Sequence, residues 1–322
     1  MRAAVLRAGA VVVRDDVPDP EPELGQVLVA VKACGICGSD LHFVRHGAGV
    51  LELSAGMSGL PETGSARVDL GRDVFMGHEF SAEVLEAGPD TLAPAPGTIV
   101  TSIPAMITMA GVSDLVYTND LPAGYGERML LSAPLLLEVP NGLDAKVAAL
   151  TEPMAVGVHA VNLSGAAAGD GAVVFGCGPV GLAVVAALRV AGVEPVIAAD
   201  LSPGRRALAA AMVFEAIGVP GILDMILRDA PARSRLVVVG VCMEADRVNP
   251  FYGCAKELSV QFSFGYDPGE FAATLQSLAE GRIDPRPMIT GEVGLEGVPG
   301  AFADLADPQH HCKVLVVPEG GT

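Results

Sequence analysis

The chain has 322 residues, 51% of them hydrophobic, which is enough for one large or two ordinary domains with substantial cores and excludes a disordered chain or a mini-protein. Its 38 acidic side chains outweigh 20 basic ones, and the net charge of −18 repels phosphate backbones and anionic lipid surfaces, which argues against nucleic-acid and membrane partners. Six cysteines, at 34, 37, 177, 242, 254 and 312, are too sparse for a disulfide scaffold and read as reduced thiols or metal ligands.

At the N-terminus a charge interrupts the apolar run of Met1 to Arg7, so a signal-peptide core is lacking and the expected location is cytoplasmic. Short β segments follow at Ala3–Leu6, Val11–Val13, Gln26–Ala33, Glu83–Ala87 and Thr98–Ser102, punctuated by proline runs such as Pro18 to Pro22 and Pro94 to Gly97. Between them, Gly47 to Gly71 is rich in Gly and Ser with little periodicity and reads as a surface excursion. Two uncharged stretches, Thr91–Ser113 and Gly171–Leu188, have the length of a membrane span, but the prolines and glycines inside each would break a lipid-exposed helix.

From about Leu150 the texture becomes alternating apolar strands and alanine-rich helices. Ala172–Phe175 and Val196–Asp200 read as strands, Val180–Val190 and Pro203–Met212 as helices, Arg235–Gly240 and Val260–Phe264 as further strands, and Pro268–Glu280 as a helix. Strand, helix, strand at this spacing means a doubly wound parallel sheet. The last strand, Lys313–Val317, lies beyond that run and is free to return to the first domain. One place does not parse: the helix ending at Met212 runs straight into Val213 to Gly218, itself strand-like. Such a fold normally supplies a third strand and helix there, so a unit of roughly two dozen residues is expected to be missing between Met212 and Val213.

The strand Ala172–Phe175 leads into Gly176-Cys177-Gly178-Pro179-Val180-Gly181 and a helix. Gly176 permits a tight turn, Gly178 lets backbone approach a pyrophosphate, Gly181 allows close helix packing, and the helix start at Pro179 and Val180 offers free N–H groups and a positive dipole end. Asp200 ends the next strand, where a carboxylate bonds the adenosine ribose and repels a 2′-phosphate, so NAD is favoured over NADP. Arg205 and Arg206, within reach of a phosphate, blunt that preference.

A second constellation begins at Cys34-Gly35-Ile36-Cys37-Gly38-Ser39-Asp40-Leu41-His42, with Gly77-His78-Glu79 downstream. Taken alone, Cys34 and Cys37 read as a redox pair or half of a zinc ribbon, but the sequence holds no second Cys-x-x-Cys, and a catalytic zinc needs only about three ligands and an open position. These runs, with Glu152-Pro153, Val156-Gly157-Val158-His159, the nucleotide turn and Asp200, occur in one order along nearly the whole chain. In that combination the sequence resembles the zinc-dependent medium-chain alcohol dehydrogenase family.

The resemblance implies an α/β protein with two domains: a β-rich GroES-like catalytic domain over 1–157, completed by 295–322, and a doubly wound Rossmann domain over 158–294, with the active site between them. It makes Cys37 and His78 zinc ligands, Ser39 the hydroxyl beside the reacting alcohol and His42 the group that passes the proton onward. Glu152 matches the third-ligand position, while Glu79 matches a carboxylate near the metal that binds it in some members, so which glutamate is the ligand stays open. Ser102 to Gly126 contains no cysteine, so one catalytic zinc and no structural zinc is expected. The implied reaction moves a hydride between an alcohol, secondary, polyol or similar, and NAD, in a homodimer or homotetramer. Two other readings compete: a zinc-independent NADPH quinone or enoyl reductase of the same fold, and a dinucleotide-binding protein without turnover.

Overall fold

The computed structural model describes residues 1–56, 68–108, 111–199, 212–306 and 311–318. The chain forms two compact units, Met1–Glu152 with Arg286–Thr322, and Pro153–Pro285. The sequence-based divisions at 157 and 294 lie a few residues beyond these.

In the first unit the long strand Gln26–Gly35 is the spine of a sheet. It pairs antiparallel with Glu79–Ala87, with Arg128–Ser132 and with the late strand Lys313–Val316. Its inward valines and alanines are fully buried, as period-two alternation over a one-sided core requires. The register sets Gly35 opposite Glu79 on one side and Leu315 on the other. Three distant stretches of sequence thereby meet at the end of one strand, where Ile36 hands the chain to Cys37 and the helix Gly38–Gly56.

A smaller sheet joins Val74–Met76 to Ala3–Arg7 and to Tyr117–Thr118, with Met76 opposite Tyr117. The chain changes from this sheet to the larger one across Gly77 and His78. Gly77 takes φ +100°, a left-handed conformation open to glycine, and a Cβ there would sit 2.9 Å from the ring of Tyr125. Ile36, Phe43, Met76, Phe80, Tyr117, Tyr125 and Phe302 belong to one buried cluster beneath this crossing.

The second unit is a parallel sheet of five described strands in the order Val196–Ala199, Ala172–Phe175, Met212–Glu215, Arg235–Val238, Ser259–Phe262. Alternate residues feed two cores: Val174, Phe214 and Val237 pack with the helix Pro179–Val190 on one face, and Val173, Val213 and Leu236 with the helix Ile222–Asp229 on the other. Burial on both faces is why these strands read as unbroken apolar runs.

Two expectations are corrected. The helix Gly38–Gly56, interrupted by a non-helical His46, occupies the first part of the supposed surface excursion at 47–71, and Gly47 is buried. Met212 opens a strand instead of closing a helix, and consecutive residues Met212 and Val213 pair with Ala172 and Val173. The rest of the expected helix 203–212 lies outside the described residues. In the doubly wound order 3-2-1-4-5-6 the five strands correspond to 2-1-4-5-6, so the third strand has no counterpart among the described residues.

Candidate active site

His78 is buried where the two sheets exchange the chain, and its two ring nitrogens face different environments. Nε2 lies 3.5 Å from Ser39 Oγ, and the ring is hydrogen-bonded to the Cys37 side chain. Nδ1 is 3.6 Å from Asp40 Oδ1, and these two buried atoms face each other without a hydrogen-bond partner. Asp40 itself is completely buried; its Oδ2 accepts from the Tyr125 hydroxyl at 2.6 Å and from the Cys37 amide at 3.1 Å. A proton on Nδ1 turned to Asp40 leaves the Nε2 lone pair on the side of Cys37 and Ser39, the arrangement in which a carboxylate orients a metal-binding histidine.

Burial pulls the His78 pKa down, but Asp40, Cys37 and Glu152 outweigh it and hold the imidazole well above its usual 6.5. The field that favours a proton there also favours a cation, and a thiol, an imidazole and a carboxylate are the donor set of a catalytic zinc site. Burial raises the Asp40 carboxyl, against the opposing pull of His78, Tyr125 and the Cys37 amide. Burial, with Asp40 beside it, also pushes the Tyr125 phenol well above 10, so it remains a donor. Cys37, His78 and Glu152 thus fit a divalent ion by chemistry. Their ligand atoms are not drawn together in the structure: among the described residues, the group whose ligand atoms all lie within 4.8 Å of one another is His159, Asp267 and Glu270.

That other group has a structural account. Asp267 and Glu270 form the capping box of the helix Pro268–Ala279, and Glu270 also bonds Asn162 at 2.6 Å and His159 at 2.7 Å. The cluster ties the helix Thr151–Ser164 to the helix Pro268–Ala279, and its polar atoms satisfy one another.

Glu79, named from sequence as both a catalytic and a metal-ligating candidate, has its two oxygens 2.6 and 2.7 Å from the Lys313 ammonium, which also bonds the Ile36 carbonyl at 3.1 Å. Both side chains are buried. Burial lowers the Lys313 pKa, yet Glu79 and Cys37 outweigh it and hold the amine above its usual value, so it stays charged. The carboxylate fills the space over Gly35, where a Cβ would lie 2.0 Å from Glu79 Oε2. His42 is exposed; partial desolvation, with His46 and Arg45 nearby, holds its pKa below 6.5, so it is neutral at pH 7 and able to accept a proton. Ser39 is an exposed residue, and its hydroxyl faces Tyr117, whose ring stacks on Phe43 at 3.8 Å.

In the second unit, Gly176 adopts φ +99° against Ala216, and a Cβ on Gly181 would meet the Gly176 carbonyl oxygen at 1.9 Å. Gly178 caps the helix Pro179–Val190 with open space where its Cβ would be. Gly178, Pro179 and Val180 therefore offer an uncovered helix start to a phosphate. Gly157, from the run 156–159, lets two helices touch, since a Cβ there would be 2.5 Å from the backbone of Ala183. Asp200 and Arg205 lie outside the described residues. Cys34 is buried, whereas Cys177 and Cys254 are exposed.

Residues 23–141 match the alcohol dehydrogenase GroES-like domain. The chain is 29% identical over 340 positions to (R,R)-butanediol dehydrogenase of Bacillus subtilis, covering 94% of this chain and 96% of that one. Over nearly its whole length the chain is thus similar to zinc-dependent medium-chain dehydrogenases. Another relative is D-xylulose reductase A of Aspergillus oryzae, 26% identical and covering 90% of this chain and 89% of that protein. A solved structure from Sinorhizobium meliloti 1021, described as a zinc-binding dehydrogenase bound to NADP, superposes with a TM-score of 0.80 at 27% identity over 98% of this chain and 99% of that one. Zinc and a nicotinamide dinucleotide are the general cofactors of such dehydrogenases, and their substrates are small alcohols or carbonyl compounds. Among the described residues no helix is long and apolar enough to cross a membrane.

Asp40, Tyr125 and Lys313 were not picked out from sequence. Asp40 stands inside the run that names Cys37 and Ser39, but nothing in its spacing separates it from a solvent carboxylate. Tyr125 and Lys313 become partners of the site only through strand register.

Proposed function

We propose that the protein oxidises a secondary alcohol or polyol, or reduces the corresponding ketone, with one zinc held by Cys37, His78 and Glu152 and with NAD as the hydride carrier. The reading rests on the buried imidazole of His78, bonded to Cys37 on one side and faced by Asp40 on the other. When bound, zinc supplies the Lewis acidity that brings an alcohol hydroxyl toward ionisation near neutral pH. Ser39 offers the hydroxyl that takes the alcohol proton, and the neutral His42 receives it on the way to solvent. The carbinol C–H bond then breaks with its electron pair. A bound nicotinamide dinucleotide would supply the hydride acceptor, so that alcohol and NAD would yield ketone, NADH and one proton. Glu79 acts from behind, neutralised by Lys313, and is not a ligand in this reading.

A vicinal diol or polyol is the favoured substrate class, because butanediol and xylulose, named for two relatives, both carry oxygens on neighbouring carbons. NAD is favoured over NADP on the charge of Asp200. A homodimer or homotetramer is supported by the edge strand Ser259–Phe262, which leaves Phe262 65% and Phe264 89% exposed. The deciding experiment couples metal analysis to an NAD-linked panel of diols and polyols, with and without chelator. We expect one zinc per chain and activity that disappears with it and returns on re-addition; undiminished turnover after complete zinc removal sinks the reading.

A further inference from the structure

Tyr125 lies remote from Cys37 in sequence, yet its hydroxyl ends on the carboxylate that faces the proposed ligand histidine. Its ring is 1% exposed, seated over Gly77 and set edge-on to Phe302 at 5.9 Å between centroids. Its hydroxyl donates to Asp40 Oδ2 at 2.6 Å and lies 3.3 Å from the Gly35 carbonyl. Asp40 Oδ2 also accepts the Cys37 amide, so one carboxylate oxygen is pinned from two directions and the other, Oδ1, is left aimed at His78 Nδ1. A phenylalanine would fill the same apolar seat; the hydroxyl adds nothing to packing and a short hydrogen bond to one buried acceptor.

We propose that Tyr125 is a positioning residue of the metal site: by holding the Asp40 carboxylate, it fixes the direction in which His78 presents Nε2. The inference rests on the reading of Cys37, His78 and Glu152 as zinc ligands. Without the phenol, Asp40 Oδ2 retains a single donor, the carboxylate rotates more freely, and His78 loses its fixed orientation before the ion arrives. Groups that orient metal-binding histidines typically change metal affinity about 10–100-fold when removed, and a hydrogen bond one step further out is expected near the lower end of that range.

The test uses the full-length protein, Zn²⁺ competed against a chromogenic chelator, and Co²⁺ substitution read by its visible absorption. Tyr125→Phe should bind Zn²⁺ about tenfold more weakly and alter the cobalt bands, because the ligand field changes with the imidazole direction. Phe302→Leu disturbs the packing of the same ring without touching the hydroxyl; it should lower the melting temperature and leave zinc affinity unchanged. Asp40→Asn supplies the third arm, since Tyr125→Phe should add no further loss in that background if the hydroxyl acts through Asp40. Wild-type affinity and spectrum in Tyr125→Phe, an equal loss in Phe302→Leu, or additive losses with Asp40→Asn would each overturn the inference. A wild-type protein that binds no zinc overturns the metal reading itself, and so the two failures are distinguishable.

Discussion

Lys313 and Glu79 form a buried ion pair in the first unit. Both are buried and each is the counter-charge of the other, so removing one partner strands a charge in an apolar surround, at a cost of about 3–5 kcal/mol. Lys313→Met should show that loss in urea denaturation, and Lys313→Met combined with Glu79→Gln should recover much of it, because no lone charge then remains. His78 gives a pH prediction. Its folded pKa lies above 6.5, so its contribution to the stability of metal-free protein is fully present below 6.5 and is lost as pH rises through the folded value. Melting temperatures of chelator-treated protein should therefore fall between pH 6.5 and the alkaline side. Zinc-loaded protein, with no imidazole proton to lose, should lack that slope; equal slopes in both forms would count against ligation by His78.

At the scale of elements, close backbone approaches set the tolerances. Gly181→Ala places a methyl 1.9 Å from the Gly176 carbonyl oxygen, so the phosphate turn must open. We expect destabilisation of about 1–3 kcal/mol and weaker NADH binding, read by cofactor fluorescence, whereas Gly178→Ala, facing open space, should retain the fold. The central strands were legible because burial on one or both faces writes itself as period two or as an unbroken apolar run. The helix through Gly56 was not, since Gly47 and Gly49 interrupt the pattern that would reveal it. Cys37, His78 and Glu152 were legible as an ordered set of residue types. The partnerships of Asp40 with Tyr125 and of Glu79 with Lys313 were invisible, because they depend on which strand lies beside which and in what register. The junction expected to break at Met212 instead lies inside one continuous strand, and among the described residues the sheet has no third strand of the doubly wound order. The 340 positions aligned with butanediol dehydrogenase exceed this chain's 322 residues, so that relative carries segments absent here.

For the whole molecule, a net charge of −18 opposes self-association, so the proposed contact between copies is expected at an apolar edge. Phe262 ends such an edge strand, whose outer side has no described partner, and the exposed Phe264 follows two residues beyond it. Phe262→Asp with Phe264→Asp should convert the proposed oligomer to monomers in light scattering at micromolar concentration. A wild-type chain that is monomeric under the same conditions would remove the oligomer from the account.

The catalytic unit is discontinuous, with the nucleotide unit threaded between Glu152 and Arg286. During synthesis, Cys37, His78 and Glu152 all leave the ribosome long before Lys313, 234 positions after the carboxylate it neutralises. A nascent chain therefore holds every proposed ligand while Glu79 still lacks its cation, and the strand that completes the sheet arrives only after the dinucleotide unit has been made. On the proposed reading, the pocket behind the ligands is therefore completed only at the end of translation, when the strand carrying Lys313 joins the sheet beside Gly35 and brings Glu79 its counter-charge.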